Sequence, residues 1–399
     1  MPSTVTIVAP ERNALHQRLD MLDAGVVDRD ARVRALDRFF TMPSGREKPG
    51  RFWRVDFEKI VPDAEAVASA GAQIDVETND GAVVLCNLAT AVREHPQLLA
   101  RAFGTTAVAE TKFGALTKAL LTDGVFAYIP ADHACDEPIA IRYHAAAGAA
   151  VFPWIVVLAE RGARATVVER LTADAGAFVC GAVEIVSAEN ADVTYAALQH
   201  ADDDARVIFS RAARPGRDAR IAWALADIGA QLAAQDVRIS IEEPGADAHL
   251  ATVFFPRAAQ HVDFIGTLEH RAGEATSETI VKSAARDRGQ ARFLGNIRIA
   301  PHAQGSDARL RDDALLLSPN AHIDSVPALE IGANDVKAYH GATVGALDAD
   351  QIFYMESRGI ERDAAERMIA LGFFEPAIEH FPTSALRDDL RAALAAKLS

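Results

Sequence analysis

The spacing of hydrophobic residues changes twice along this chain. In the first third it is helical: Leu15, Leu19 and Leu22 recur at i, i+4 and i+7, and Val33, Leu36 and Phe40 at i, i+3 and i+7. Each trio lies on one helical face and needs a neighbour to cover it. Pro43-Ser-Gly-Arg-Glu-Lys-Pro-Gly50 breaks the pattern, and the bulky Phe52-Trp53 pair is expected to pack the N-terminal helices together. Phe113, Leu116 and Leu120 mark a further helix, with Gly124 as its expected stop. Residues up to about Gly124 are thus expected to be mainly helical.

Beyond that point the period becomes two. Val237, Ile239 and Ile241 alternate with Arg238, Ser240 and Glu242, as in a strand with one buried face. Shorter runs, such as Val183-Glu-Ile185, Arg206-Val-Ile-Phe209 and Ile297-Arg-Ile299, are separated by turn residues and not by helical patterns. A sheet built from βαβ units is therefore not expected. Gly162, Asn190, Gly216 and Gly245 each precede a strand-like run, 26 to 29 residues apart. That interval suits a repeat architecture, and the supply of small residues suits tight corners. On pattern alone a β-solenoid and a β-sandwich both remain open.

Helical spacing returns near the C-terminus. Asp348 is placed to cap a helix starting at Ala349, with Gln351 reaching back, and Gly359 fits a left-handed stop. A second helix carries Ala364, Met368 and Leu371 before Gly372, and a third has Leu386, Leu390 and Leu394 at four-residue steps. The expected division is a helical region at 1–123, a β core at 124–346 and a helical region at 347–399.

Composition narrows the function classes. A 50% hydrophobic, 24% charged chain can bury a sizeable core. Its net charge of −15, without a basic patch, would be repelled by nucleic acid and by an anionic membrane surface. The longest uncharged apolar run, Ala145 to Ala159, contains Pro153 and falls short of the ~20 residues that span a bilayer. Three scattered cysteines, Cys86, Cys135 and Cys180, argue for a reducing compartment, and no secretory leader is recognisable in Met1–Pro10. A cytoplasmic protein is expected.

Catalytic motifs are missing. There is no phosphate-binding Gly-x-x-x-x-Gly-Lys-Ser/Thr loop, no Gly-x-Ser-x-Gly elbow, no His-Glu-x-x-His and no Cys-x-x-Cys. The densest group of metal-type donors is Asp132-His133-Ala-Cys135-Asp136-Glu137. Neighbours in one loop seldom point at one centre, so a solvated loop between strands accounts for it. His261 and His270 read as satisfied sheet histidines. His340 stands between a strand signal and a Gly-rich turn, where a strand-end histidine would also fit.

Several longer motifs resemble a known family. Asp335-Val-Lys-Ala-Tyr-His-Gly-Ala-Thr-Val-Gly345, Asp350-Gln-Ile-Phe-Tyr354 and Ser357-Arg-Gly-Ile360 are similar to the C-terminal signature of the SufB/SufD family of SUF iron–sulfur cluster assembly proteins. Leu315-Leu-Leu-Ser-Pro-Asn-Ala-His-Ile-Asp-Ser-Val-Pro-Ala-Leu-Glu330 and Gly295-Asn-Ile-Arg-Ile299 extend the likeness, and Arg51-Phe-Trp-Arg54 resembles an upstream family element. The His-Gly-Ala-Thr-Val-Gly form, and the lack of cysteine between Ala308 and Leu317, are most like SufD.

The resemblance implies a right-handed parallel β-helix between helical ends. It also implies assembly with SufB through a β-helix edge and with the ATPase SufC through the C-terminal helices, with a homodimer open to the isolated chain. His340 becomes a candidate iron or cluster ligand at the SufB boundary. Family members of the SufD type often carry cysteine two residues before that histidine, where this chain has Ala338. Thiolates are the usual cluster ligands. No cofactor is therefore expected to be held tightly by this chain alone, and a nascent cluster would be shared with SufB. Phe353, Tyr354, Phe373 and Phe374 exceed what three short helices need for mutual packing, and with Arg358 they are candidates for SufC docking. The implied role is a non-catalytic assembly subunit. The rival is a β-helix enzyme acting on carbohydrate, which needs two carboxylates on one face, with Glu242 and Asp263 as candidates.

Overall fold

The computed structural model describes residues 12–20, 22, 25–42 and 72–398. The breaker at 43–50, Phe52-Trp53 and Arg51–Arg54 lie outside them. Nineteen strands run through the described residues in two sheets. The first sheet is ordered β1 (Ala72–Glu77), β4 (Ile139–Ala145), β7 (Arg164–Ala173), β9 (Asp192–Ala201), β11 (Arg220–Gly229), β13 (Asp247–Phe254), β15 (Thr276–Ala285), β17 (Asp307–Leu316) and β19 (Lys337–Ala346). The second is ordered β2 (Val84–Asn87), β3 (Asp123–Ile129), β6 (Pro153–Ala159), β8 (Phe178–Ser187), β10 (Arg206–Pro215), β12 (Leu232–Ile241), β14 (His261–His270), β16 (Gln290–Ile299) and β18 (His322–Ile331), with the short β5 (Ala150–Val151) on β8.

Through most of the chain, successive strands alternate between the sheets, and each pairs in parallel with the strand one coil away. This is a β-solenoid of about eight turns, so the sandwich alternative falls. Register-paired residues on successive coils are 26 to 32 apart, for example Arg206 with Leu232 and Gln290 with His322. The corner repeat has a structural cause. Asp132, Gly162, Asn190, Asp218 and Gly245 all have positive φ, between 54° and 77°. Glycine enters that region freely, and Asn and Asp tolerate it best among the others. The amide of each of the first four donates to a carbonyl on the next coil, at 2.7–3.1 Å. Gly216, expected at this corner, is two residues early; Asp218 holds the left-handed position.

Because the ladders are in register, like side chains stack through the interior. Phe264 lies on Phe293 with ring centroids 6.1 Å apart, and Tyr195 on Trp223 at 4.9 Å. Ile185, Ala213, Ile239, Leu268 and Ile297 form one continuous inward column. Buried polar groups interrupt this core, and the largest hydrogen-bonded one centres on Arg211. Arg211 on β10 donates to Glu169 on β7 across the interior at 2.8 Å, Tyr195 Oη donates to the same carboxylate at 2.7 Å, and Gln235 accepts from Arg211 Nε at 3.2 Å.

Helices cover both outer faces. α1 (Arg12–Leu19), α2 (Arg29–Thr41) and, beyond α3 (Leu88–Glu94) and α4 (Pro96–Leu99), α5 (Lys112–Leu120) bury Leu15, Leu36, Phe39, Phe113 and Leu116 on the second sheet, against Phe178, Cys180 and Ile208. α5 ends before Gly124, which lies in β3 instead. A Cβ there would sit 2.2 Å from the Trp154 carbonyl oxygen, so close strand approach and not a helix stop requires the glycine. The expectation of mainly helix before Gly124 also misses β1 and β2. Both pair antiparallel, β1 with β4 and β2 with β3, at the N-terminal end of the sheets.

On the other face, α6 (Ala349–Ser357), α7 (Arg362–Ile378) and α8 (Ser384–Leu398) follow the last coil. Asp348 caps α6 by accepting from the Asp350 amide, and Gly359 takes φ 83° after it, as expected. α7 runs through Gly372 and Pro376, where a stop was expected at Gly372. The ~1 kcal/mol helix penalty of glycine is outweighed by the face α7 buries, Ala370, Phe374, Ala377 and Ile378, against Val253, Phe255 and Ala284. Leu386, Leu390 and Leu394 of α8 join that layer. No helix among the described residues is long and apolar enough to cross a membrane.

Candidate functional site

The two sheets end on open edges. Among the described residues β18 pairs only with β16, and β19 only with β17. Val326 and Ile331 on β18, and Tyr339 and Val344 on β19, are exposed apolar side chains on these last rungs. An unpaired strand that is also apolar is a template for another strand. His340 lies here. Its register partner Leu310 is buried in the interior, so the parallel ladder directs the imidazole to the interior side, and it is exposed because no further rung covers it. Ala338 faces buried Ala308 in the same way.

Beneath this open end stands a carboxyl that sequence reasoning passed over. Asp312 on β17 is fully buried, and its register neighbours are interior Val281 and, on the last rung, Ala342. Strand geometry places it about 8 Å from His340, one rung down and two residues along. Ser325 Oγ on β18 donates to Asp312 Oδ2 across the interior, while Oδ1 has no hydrogen-bond partner among the described residues. Burial pushes its pKa up to about 7, with Asp313 adding to the effect. A signal existed: the acid occupies an inward position between Leu310 and Ala314.

A folded carboxyl with a raised pKa holds its proton more tightly than the unfolded chain does. Folding is therefore increasingly opposed as pH rises from about 4, the ordinary value, to about 7, and the penalty is constant above that. Asp312→Asn is expected to gain stability over the native chain across that window and to hold the gain at higher pH. Urea unfolding at pH 4.5, 6 and 8, chosen as roughly spanning the window, measures it. A difference that does not change with pH would refute the buried-acid account.

The four C-terminal aromatics separate into two pairs. Phe353 and Tyr354 on α6 are 71% and 59% exposed, and Arg358 lies over the Tyr354 ring at 5.1 Å. Phe374 is fully buried against Phe255, and Phe373 is half-buried with Lys282 over its ring. The expectation of an outward surface therefore fails for Phe373 and Phe374. They lie on the face of α7 that covers the first sheet.

The loop donors are only partly dispersed. Asp132 pairs with Arg161 at 2.6 Å, and Glu137 accepts from Asn79 at 2.6 Å. His133 and Cys135 instead meet Asp80, from the turn between β1 and β2, with donor atoms of all three within 4.8 Å of one another. Sequence spacing could not show this, because Asp80 lies 53 residues before His133. Burial, aided by Asp80, pushes the Cys135 thiol up to about 11, so in this state it is protonated and a poor nucleophile. His270 is a core histidine as expected: it shares a 2.8 Å hydrogen bond with Ser277, and burial lowers its pKa to about 4. His261 is half-buried, 3.9 Å from Asp263.

The carboxylates of the rival reading do not meet. Asp263 aligns with Ala234 on the neighbouring coil, and Glu242 lies eight residues further along that coil. At ~3.3 Å per residue this separates them by roughly 26 Å, well beyond the ~5–9.5 Å of a glycosidase pair. Asp263 is also fully buried, and Glu242 pairs with Arg271 at 3.4 Å.

The architecture is a parallel β-solenoid, open at its last rung and clothed by helices on both faces, in which Glu242 and Asp263 do not form a glycosidase pair. Residues 142–373 match the family described as SUF system FeS cluster assembly, SufBD core domain, and residues 69–141 match the SufBD protein N-terminal region. The chain belongs to the SufBD family of iron–sulfur cluster assembly proteins. It is similar to the iron–sulfur cluster assembly protein SufD of Bacillus subtilis, 29% identical over 337 residues that cover 82% of this chain and 77% of the relative. It is also similar to SufBD family proteins of Staphylococcus saprophyticus and Staphylococcus epidermidis. Each is 24% identical over 343 residues, 82% of this chain and 74% of the relative.

Proposed function

We propose that this chain is a SufD-like, non-catalytic subunit of an iron–sulfur cluster assembly scaffold, pairing with SufB through the open edges of β18 and β19 and with SufC through the exposed face of α6. The observation that carries the reading is the uncovered last rung. Two strands present unpaired backbone and apolar side chains, with His340 on the interior side between them and Asp312 below. A matching edge on SufB would cover that rung and bring its own ligands to His340. With Ala338 in place of cysteine, the imidazole is the one soft-to-borderline donor on β19. The cluster is cargo of the assembly and is not held by this chain alone. A second copy of the chain would cover the same edge in the absence of SufB, and the reading places the subunit in the cytoplasm.

His340→Ala is expected to preserve assembly with SufB and SufC and to reduce sharply the iron retained by the complex. His322→Ala is the control: His322 is on β18 and shares a 2.8 Å hydrogen bond with Asp324. Iron and sulfide analysis of the purified complexes measures both. Wild-type iron and cluster delivery in both variants would make His340 structural and the subunit's contribution architectural.

A further inference from the structure

At the opposite end of the solenoid, the Asp80, His133 and Cys135 cluster serves no part of the reading above. We propose that these three side chains form a binding site for one divalent transition-metal ion, with Zn2+ the ion that fits. The donor set is a carboxylate, an imidazole and a sulfur, all of which Zn2+ accepts. The donor atoms lie within 4.8 Å of one another. Bonds of ~2.0–2.3 Å in a tetrahedron require ligand separations of roughly 3.2–3.8 Å, so the ion enters by side-chain adjustment alone. The shortest separation, 2.6 Å between His133 Nε2 and Asp80 Oδ2, is a hydrogen bond that the ion would replace.

The backbone holds the donors in place from two directions. The Cys135 amide donates to the Arg164 carbonyl at 2.9 Å, and the Arg164 amide donates to the His133 carbonyl at 2.8 Å. Ala134 is thereby bridged in parallel to β7, and residues i and i+2 around it project to the same side. Asp80 is fixed separately: its Oδ1 accepts from the Ala82 amide at 3.0 Å, which leaves Oδ2 to face His133. The Asn79–Glu137 hydrogen bond ties the same two loops together beside the cluster. Three protein donors leave a fourth position for water. The ion would clip the β1–β2 turn onto the first coil, where both strands pair antiparallel. On binding, the Cys135 S–H proton passes to solvent and the thiolate becomes a ligand.

The test uses the full-length chain, stripped with chelator and titrated with Co2+ as a spectroscopic stand-in for Zn2+. The expected result is one Co2+ per chain with tetrahedral absorption and a thiolate-to-cobalt charge-transfer band, both abolished by Zn2+. Cys135→Ser should remove the charge-transfer band, and His133→Ala and Asp80→Asn should each weaken binding at least about tenfold. Zn2+ should raise the thermal midpoint of the native chain and not that of Cys135→Ser, with circular dichroism confirming that each variant is folded. Cys86→Ser and His322→Ala should keep the native spectrum. The titration is read on the chain alone, so its outcome is independent of SufB or SufC binding. No charge-transfer band at saturating Co2+, or a band that survives Cys135→Ser, would overturn the site and leave Asp80–His133 as a hydrogen-bonded pair only.

Discussion

Replacing Glu169 with alanine is expected to destabilise the fold by about 3–5 kcal/mol, among the largest effects of any single substitution in the solenoid. Glu169 and Arg211 are 1% and 2% exposed, and the carboxylate accepts from the two terminal guanidinium nitrogens and from Tyr195. Removing it leaves a guanidinium inside the core whose remaining surroundings are the Gln235 amide oxygen, the faces of Phe209 and Tyr195 and, beyond Gln235, the buried Asp227 carboxylate to which Gln235 Nε2 donates at 2.8 Å. None of these replaces the direct acceptor that Glu169 provides in a dry interior. The pair itself need not be a net source of stability, because dehydrating two ions offsets much of their attraction. The double variant Glu169→Leu with Arg211→Met should therefore recover most of the loss. Denaturant unfolding of the single and double variants decides it. A Glu169→Ala chain within about 1 kcal/mol of native would show that water reaches this position and would sink the argument.

Much of the solenoid was legible because its two signals are local. The alternation in Val237, Ile239 and Ile241 is a backbone property, and all three are buried. The left-handed corners need Gly, Asn or Asp, so Gly162, Asn190 and Gly245 announced the coil length. Choosing solenoid over sandwich was beyond these signals, since both use half-buried strands; parallel pairing across 26 to 32 residues settles it, and only the family motifs anticipated it. Helix faces were less legible. Met368 fits a helical stripe yet is 55% exposed, because the side of α7 that is buried is chosen by the sheet and not by the helix. The clusters were least legible. Asp80 meets Cys135 because the antiparallel β1–β2 segment is laid against the first coil, and Asp312 meets Ser325 across the interior between the two facing sheets, so no spacing rule contains either pair.

The double substitution Phe353→Ala with Tyr354→Ala is expected to abolish stable association with SufC while leaving the melting curve of the free chain unchanged. Exposure separates the two effects. At 71% and 59% exposure these rings contribute little to the chain's own core, yet with Arg358 they form a patch of the residue types that dominate interface energetics. Losing two anchors at ~2 kcal/mol or more each weakens binding roughly a thousandfold, enough to lose co-purification. Phe374→Ala should behave in the opposite way. It removes a ring packed on Phe255 and costs about 3–5 kcal/mol of stability, with association lost only through unfolding. Removing residues 347–399 outright is a poor substitute for these variants. It uncovers Ile228, Val253 and Phe255 on the outer face of the first sheet, so aggregation is the expected outcome and a failed pull-down would say nothing about docking. The measurement is SufC capture by the two point-substituted chains, each with its thermal midpoint. Native capture by a folded Phe353→Ala, Tyr354→Ala chain would remove α6 from the interface.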